Sequence, residues 1–195
     1  MIRILILALC LAAQEGPREA AIRQRLDAAT ASKDAWSARR QEVRTQILTS
    51  LGLYPEFERP RIKAEVFGKV EGDGYTVERV VLEALPGVYS TGSLYRPKGK
   101  TGPFPAIISP HGHFKEGRYT QDAVANLPAV GITFARLGFV CFMIDMIGYG
   151  DFKQFPHKFD LPAHGIGVMG LQTWVNLCGV DFLCSLPDVD RERLG

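Results

Sequence analysis

The residues best suited to chemistry are His111-Gly112-His113, which follow the apolar run Pro105-Ala106-Ile107-Ile108-Ser109-Pro110 directly. A short β-rich run that empties into a small glycine-containing turn is how α/β enzymes set backbone N–H groups beside a reacting oxygen, because glycine lets the main chain come that close. A second turn of this kind, Asp145-Met146-Ile147-Gly148-Tyr149-Gly150-Asp151, follows the apolar run Phe139-Val140-Cys141-Phe142-Met143-Ile144. In open α/β sheets ligands bind outside the carboxyl ends of the strands, which is where both turns fall.

Other readings of these residues remain open. His111-Gly112 also suits a plain turn capping a strand. His111-x-His113 at a strand end matches a metal-ligand pair in which two imidazoles flank one residue and converge on zinc, as in a metal-dependent amidohydrolase barrel. That barrel needs a regular β/α alternation, whereas this sheet begins antiparallel. Asp145 suits a carboxylate that ties down its own turn by accepting from the Gly148 or Tyr149 N–H. Tyr149 and Phe152 are candidates to line an acyl or sugar pocket. His157 and His164 lie in the loop 152–167, and the default for them is the surface, with substrate contact if that loop borders the cleft.

The elements that position these turns follow from periodicity. Arg18 to about Leu51 carries apolar residues at helical intervals and reads as one or two helices, with Trp36 as a packing residue; Gly52 and two prolines then make a connector. Tyr75–Glu83 and Tyr89–Tyr95 are β-rich and flank the turn Leu85-Pro86-Gly87, which gives an antiparallel pair. The unbroken apolar runs at Pro105–Ser109 and Phe139–Asp145 suit strands buried on both faces of a parallel sheet, and Leu127–Leu137 between them is a helix stopped by Gly138. Gly167–Leu186, with Val168, Leu171, Val175, Cys178, Phe182 and Leu186 at steps of three and four, is a second helix, and Trp174 in it should pack. Asp188–Gly195 is then a connection into a strand expected to begin where the sequence stops.

With 195 residues, 46 % hydrophobic and 23 % charged, the chain can bury a core without disulfides. A formal net charge of +2, with basic and acidic residues interspersed, excludes the basic stripe that nucleic acid or an anionic membrane requires. Met1-Ile2-Arg3 and the ten apolar or small residues Ile4–Ala13 have the layout of a secretory signal and are too short to span a bilayer comfortably. Export would remove Cys10 with the signal. Cys141, Cys178 and Cys184 have no Cys-x-x-Cys spacing and are expected to be free.

Residues 60–195 resemble the first half of an α/β-hydrolase. The segments Ser109-Pro110-His111-Gly112-His113, Asp145–Asp151 and Leu186–Gly195 are most similar to secreted bacterial esterases of the acetyl xylan esterase and glucuronoyl esterase type, and less to dienelactone hydrolases. The resemblance implies an incomplete α/β-hydrolase domain at 61–195, preceded by a signal at 1–13 and a helical extension at 14–60. It implies the backbone N–H groups of Gly112 and His113 as oxyanion donors, with His111 shaping the turn. It also implies a Gly-x-Ser-x-Gly elbow soon after Leu186–Gly195, and no such motif occurs in the 195 residues, so the nucleophile, acid and base are expected beyond Gly195. The expected activity is serine-dependent hydrolysis of a small or carbohydrate-linked ester, without metal or other cofactor, with this chain inactive alone. The alternative is a non-catalytic binding protein on the same fold. In the strand order of that fold, Pro105–Ser109 would also show a bare apolar edge where the missing strand belongs.

Overall fold

A computed structural model describes residues 16–158 and 165–195. The signal reading of 1–13, Cys10 and His164 lie outside the described residues. Two compact units follow one another, the first ending at Ile47 and the second running Leu48–Gly195.

The helical stretch is two helices, α1 (Pro17–Thr30) and α2 (Lys33–Ser50). Proline opens α1, where its missing N–H costs nothing, and the Gly16 N–H donates to Glu19 Oε2 at 2.6 Å. The break between the helices is stabilised by the Ser32 hydroxyl, which accepts from the Ala35 N–H at 3.0 Å. Trp36, expected to pack, is 53 % exposed.

The second unit is built on a six-stranded mixed sheet. Its strands are β1 (Lys63–Gly72), β2 (Tyr75–Leu85), β3 (Val88–Pro97), β4 (Phe104–Ile108), β5 (Val140–Ile144) and β6 (Val189–Leu194), in the order β1-β2-β3-β5-β4-β6. β1, β2 and β3 form an antiparallel meander, β3 pairs antiparallel with β5, and β5, β4 and β6 run parallel. The helices α3 (Leu127–Leu137) and α4 (Val168–Ser185) supply the crossovers.

Two expectations change. The antiparallel pair is a three-stranded meander, because β1 joins it with nearly every side chain exposed and so lacks the alternating apolar signal of a half-buried strand. The strand expected after the end of the sequence is already present as β6. It covers β4 through the pairs Phe104↔Val189 and Ala106↔Leu194, so β4 is not a bare edge.

The continuous apolarity of β5 has the expected cause. Phe142 and Ile144 pack with Val175, Cys178 and Phe182 of α4, while Cys141 and Met143 pack with Ala135 of α3. Each fully buried Phe, Ile, Val or Met among these stabilises by roughly 1.5–3 kcal/mol. The rings of Phe142 and Phe182 meet edge to face at 5.2 Å, a geometry that contributes about 0.5–1.5 kcal/mol more. Trp174 is the packing residue expected, 5 % exposed, with its Nε1–H donating to the Ala84 carbonyl at 2.8 Å. At the seam where the sheet turns from antiparallel to parallel, the space a side chain on Gly92 would fill is taken by the Phe142 ring, 2.3 Å from the would-be Cβ.

Candidate functional site

The carboxyl ends of β4 and β5 release the two turns side by side, and His111 joins them. Its Nδ1 lies 2.8 Å from the Gly112 carbonyl oxygen, and its Nε2 lies 3.2 Å from the Met146 N–H. A carbonyl can only accept and an N–H can only donate, so the ring is the neutral tautomer with its proton on Nδ1. Burial pushes the His111 pKa below its ordinary value; the bond to the Gly112 carbonyl opposes this, and the Arg118 charge adds to it. The 3.5 Å approach of Nε2 to Asp145 Oδ1 is therefore a contact of a neutral ring with a carboxylate rather than an ion pair.

The lock on Gly112 orients the peptide that follows. The Gly112 carbonyl accepts from His111 Nδ1 and from the Phe114 N–H at 2.8 Å. In a planar trans peptide the next N–H points opposite to that carbonyl, so the His113 N–H is turned away from the groups that hold the loop. Among the described residues, neither the Gly112 nor the His113 N–H has a protein acceptor. An outward, unpaired N–H at a strand end is the geometry a developing oxyanion needs.

A buried ionic cluster braces the second turn. Arg118, 2 % exposed, reaches the Asp145 carboxylate through Nη1, donates from Nε to Ser93 Oγ at 2.9 Å and from Nη2 to Asp151 Oδ2 at 2.6 Å. Asp145 Oδ2 also accepts from Thr91 Oγ1 at 2.6 Å and from the Asp151 N–H at 3.1 Å. Asp145 thus has its expected role but different donors, because the Gly148 and Tyr149 N–H groups bond to the Phe152 and Met146 carbonyls instead. Gly150, at φ +56°, leaves the room this needs: a Cβ there would stand 2.0 Å from Asp145 Oδ1. Oδ1 itself has no hydrogen-bond partner among the described residues. Asp151 is drawn upward in pKa by burial, but the bonds from Tyr119 and Arg118 outweigh this and hold it below its ordinary value.

The remaining expectations divide. Tyr149 is half-buried, with its ring 6.2 Å from His111, 5.9 Å from His113 and 5.3 Å from His157. Phe152 is no pocket residue, since it is fully buried in the core against the α4 side of the sheet. His111 and His113 do not converge as a metal pair, because both His111 nitrogens are engaged by backbone groups. The partner of His113 is His157, through Nε2 atoms 3.0 Å apart. Among the described residues no group of three or more His, Cys, Asp or Glu side chains is arranged to hold a metal ion. The sequence gives no local sign of Arg118, because a single arginine in Lys115-Glu116-Gly117-Arg118 reads as a solvated loop.

No protein-family model matches the chain. It is 25 % identical over 167 residues to YtaP of Bacillus subtilis (strain 168), a hydrolase by its name, covering 80 % of this chain and 54 % of that one. Among solved structures it resembles a methylesterase, with a TM-score of 0.71 and 29 % identity over 88 % of this chain and 38 % of the other. A glucuronoyl esterase from Solibacter usitatus aligns with a TM-score of 0.57 and 16 % identity over 84 % and 52 % of the two chains. An acetyl xylan esterase from Paenibacillus sp. R4 gives 0.53 and 18 % over 78 % and 49 %. The chain therefore has the α/β-hydrolase fold of these esterases, and it spans about half the length, or less, of the proteins it matches.

Proposed function

We propose that the whole protein is an exported serine carboxylic-ester hydrolase acting on small or carbohydrate-linked esters, and that the described residues supply one side of its oxyanion hole. The observation that carries this is the Gly112–His113 peptide at the end of β4, held with its carbonyl inward by His111 and its N–H outward. The similarity to esterases supports the reaction class. No helix among the described residues is long and apolar enough to cross a membrane, and the apolar start of the sequence suits an export signal.

In this reading a serine on an elbow after β6 attacks the ester carbonyl, with a histidine base taking its proton. Negative charge gathers on the former carbonyl oxygen, where the His113 N–H and one donor beside the serine receive it. The alcohol leaves with a proton returned by the histidine, and water then releases the acyl group by the same steps in reverse order. His111 acts through the backbone as a positioning residue. Tyr149, half-buried beside the turn, borders the space a substrate would enter.

The test is ester turnover by the whole protein on p-nitrophenyl acetate. H113P removes the N–H and is expected to lower kcat by about 100- to 1,000-fold, whereas H113A keeps the N–H and loses far less. Equal losses in the two variants would overturn the backbone assignment. The 195-residue chain alone should be inactive, and turnover by it that a serine-directed phosphonate abolishes would overturn the reading that its nucleophile lies elsewhere.

A further inference from the structure

His113 and His157 come from the turns after β4 and β5, and their Nε2 atoms face one another at 3.0 Å. The rings stand at 77° with centroids 4.9 Å apart, so they meet at their nitrogen edges rather than stack. His157 Nδ1 lies 2.9 Å from the Ile147 carbonyl oxygen, which can only accept, so Nδ1 carries the proton and Nε2 of the neutral ring presents a bare lone pair. A backbone carbonyl on one ring nitrogen, which fixes the tautomer and leaves the other nitrogen free, is the support that metal-ligating imidazoles characteristically have. The turn is shaped for it: Gly148 has φ +82°, and a Cβ there would stand 2.6 Å from the His157 backbone nitrogen.

We propose that His113 and His157 form a two-histidine site for one divalent transition cation of the zinc or copper(II) class. Two imidazole nitrogens on a single zinc, each at about 2.0–2.1 Å, lie roughly 2.9–3.4 Å apart for angles between 90° and tetrahedral. The observed separation already falls in that range, so the cation enters between the rings with little movement of either turn. Because His157 Nε2 can only accept, the His113 Nε2–H donates to it in the pair as observed. Binding needs that proton elsewhere, and because His113 is exposed, water carries it to Nδ1 with no net change in protonation. With two protein ligands and no third converging among the described residues, the cation keeps open positions filled by water or an incoming ligand. The site is distinct from the pairing of His111 with His113, and it stands or falls independently of ester chemistry.

Isothermal titration of the full chain with ZnCl2 at neutral pH, in a non-chelating buffer, tests the proposal. The expected result is saturable binding that weakens at least about tenfold in both H113A and H157A, with zinc raising the Tm of the unmodified chain but of neither variant. With Cu2+, electron paramagnetic resonance should show two equatorial nitrogen ligands, reduced to one or none in each variant. MgCl2, a hard oxygen-seeking cation, should give no saturable signal. Zinc binding unchanged in both variants, no saturable binding by the unmodified chain, or an equal response to Mg2+ would each overturn it. Should H113A or H157A fold poorly by circular dichroism, H113Q and H157Q provide the same comparison.

Discussion

The Met146 N–H donates to Nε2 of His111 at 3.2 Å, so the turn after β5 fixes the tautomer of a histidine in the turn after β4. Protonating that ring would break the bond, because a cationic imidazole has no acceptor to offer. His111 is held below its ordinary pKa of 6.5 by burial first. The unfolded chain then binds more protons than the folded one as pH falls below about 6.5, and stability rises with pH through that window. The contribution is complete above the unfolded value and is lost as pH falls through the folded one. Thermal melts from pH 7.5 to 5 should show a declining Tm, and H111N should flatten the decline; an identical slope in H111N would sink the assignment.

Arg118 and Asp145 are buried together, so removing one charge strands the other. R118M should destabilise by about 3–5 kcal/mol in urea melts. R118M/D145N, which removes both charges, should recover part of that loss. A single variant within about 0.5 kcal/mol of the unmodified protein would show that the pair contributes little.

Gly150 and Gly87 separate backbone strain from steric conflict. Both have positive φ, +56° and +77°, but a Cβ on Gly87 meets nothing within 4 Å, while one on Gly150 runs into Asp145. G87A should cost about 1–2 kcal/mol from the left-handed backbone alone. G150A should cost clearly more and should also perturb the Arg118 cluster. Equal losses in paired chemical denaturations would mean that Asp145 moves aside freely.

Burial pushes the thiols of Cys141 and Cys178 up to about 12 and about 11. Neither should react with an aromatic disulfide reagent in the native state at pH 8, whereas Cys184, only partly buried, should react first. Mass mapping of the labelled peptides reads the order directly, and early labelling of Cys141 would contradict the packing of β5.

The parts of this structure that were legible in the sequence are those whose signal is local. α3 ends where Gly138 marks it, because capping chemistry sits within a few residues of the boundary. The turn His111–His113 was legible as a strand end carrying a glycine. β1 and β6 were not, since Lys63-Ala64-Glu65 and Arg191-Glu192-Arg193 are exposed segments whose strand character comes from pairing with β2 and β4. Arg118 was hidden for a related reason. Its partners Ser93, Asp145 and Asp151 are distant in sequence, and nothing next to it announces burial.

The Gly92 notch gives the seam between β3 and β5 a way to detect misalignment. In the native register Gly92 faces Ile144 and Leu94 faces Phe142, and the Phe142 ring occupies the space beside Gly92. A slip of one residue would bring the side chain of Thr91 or Ser93 into that space and would swap the two faces of β3. It would also carry Thr91 away from Asp145, whose N–H now donates to the Thr91 carbonyl at 2.8 Å. One missing side chain thus ties correct closure of the sheet to assembly of the polar cluster, and a mispaired chain would arrive without the scaffold that holds the turn after β5.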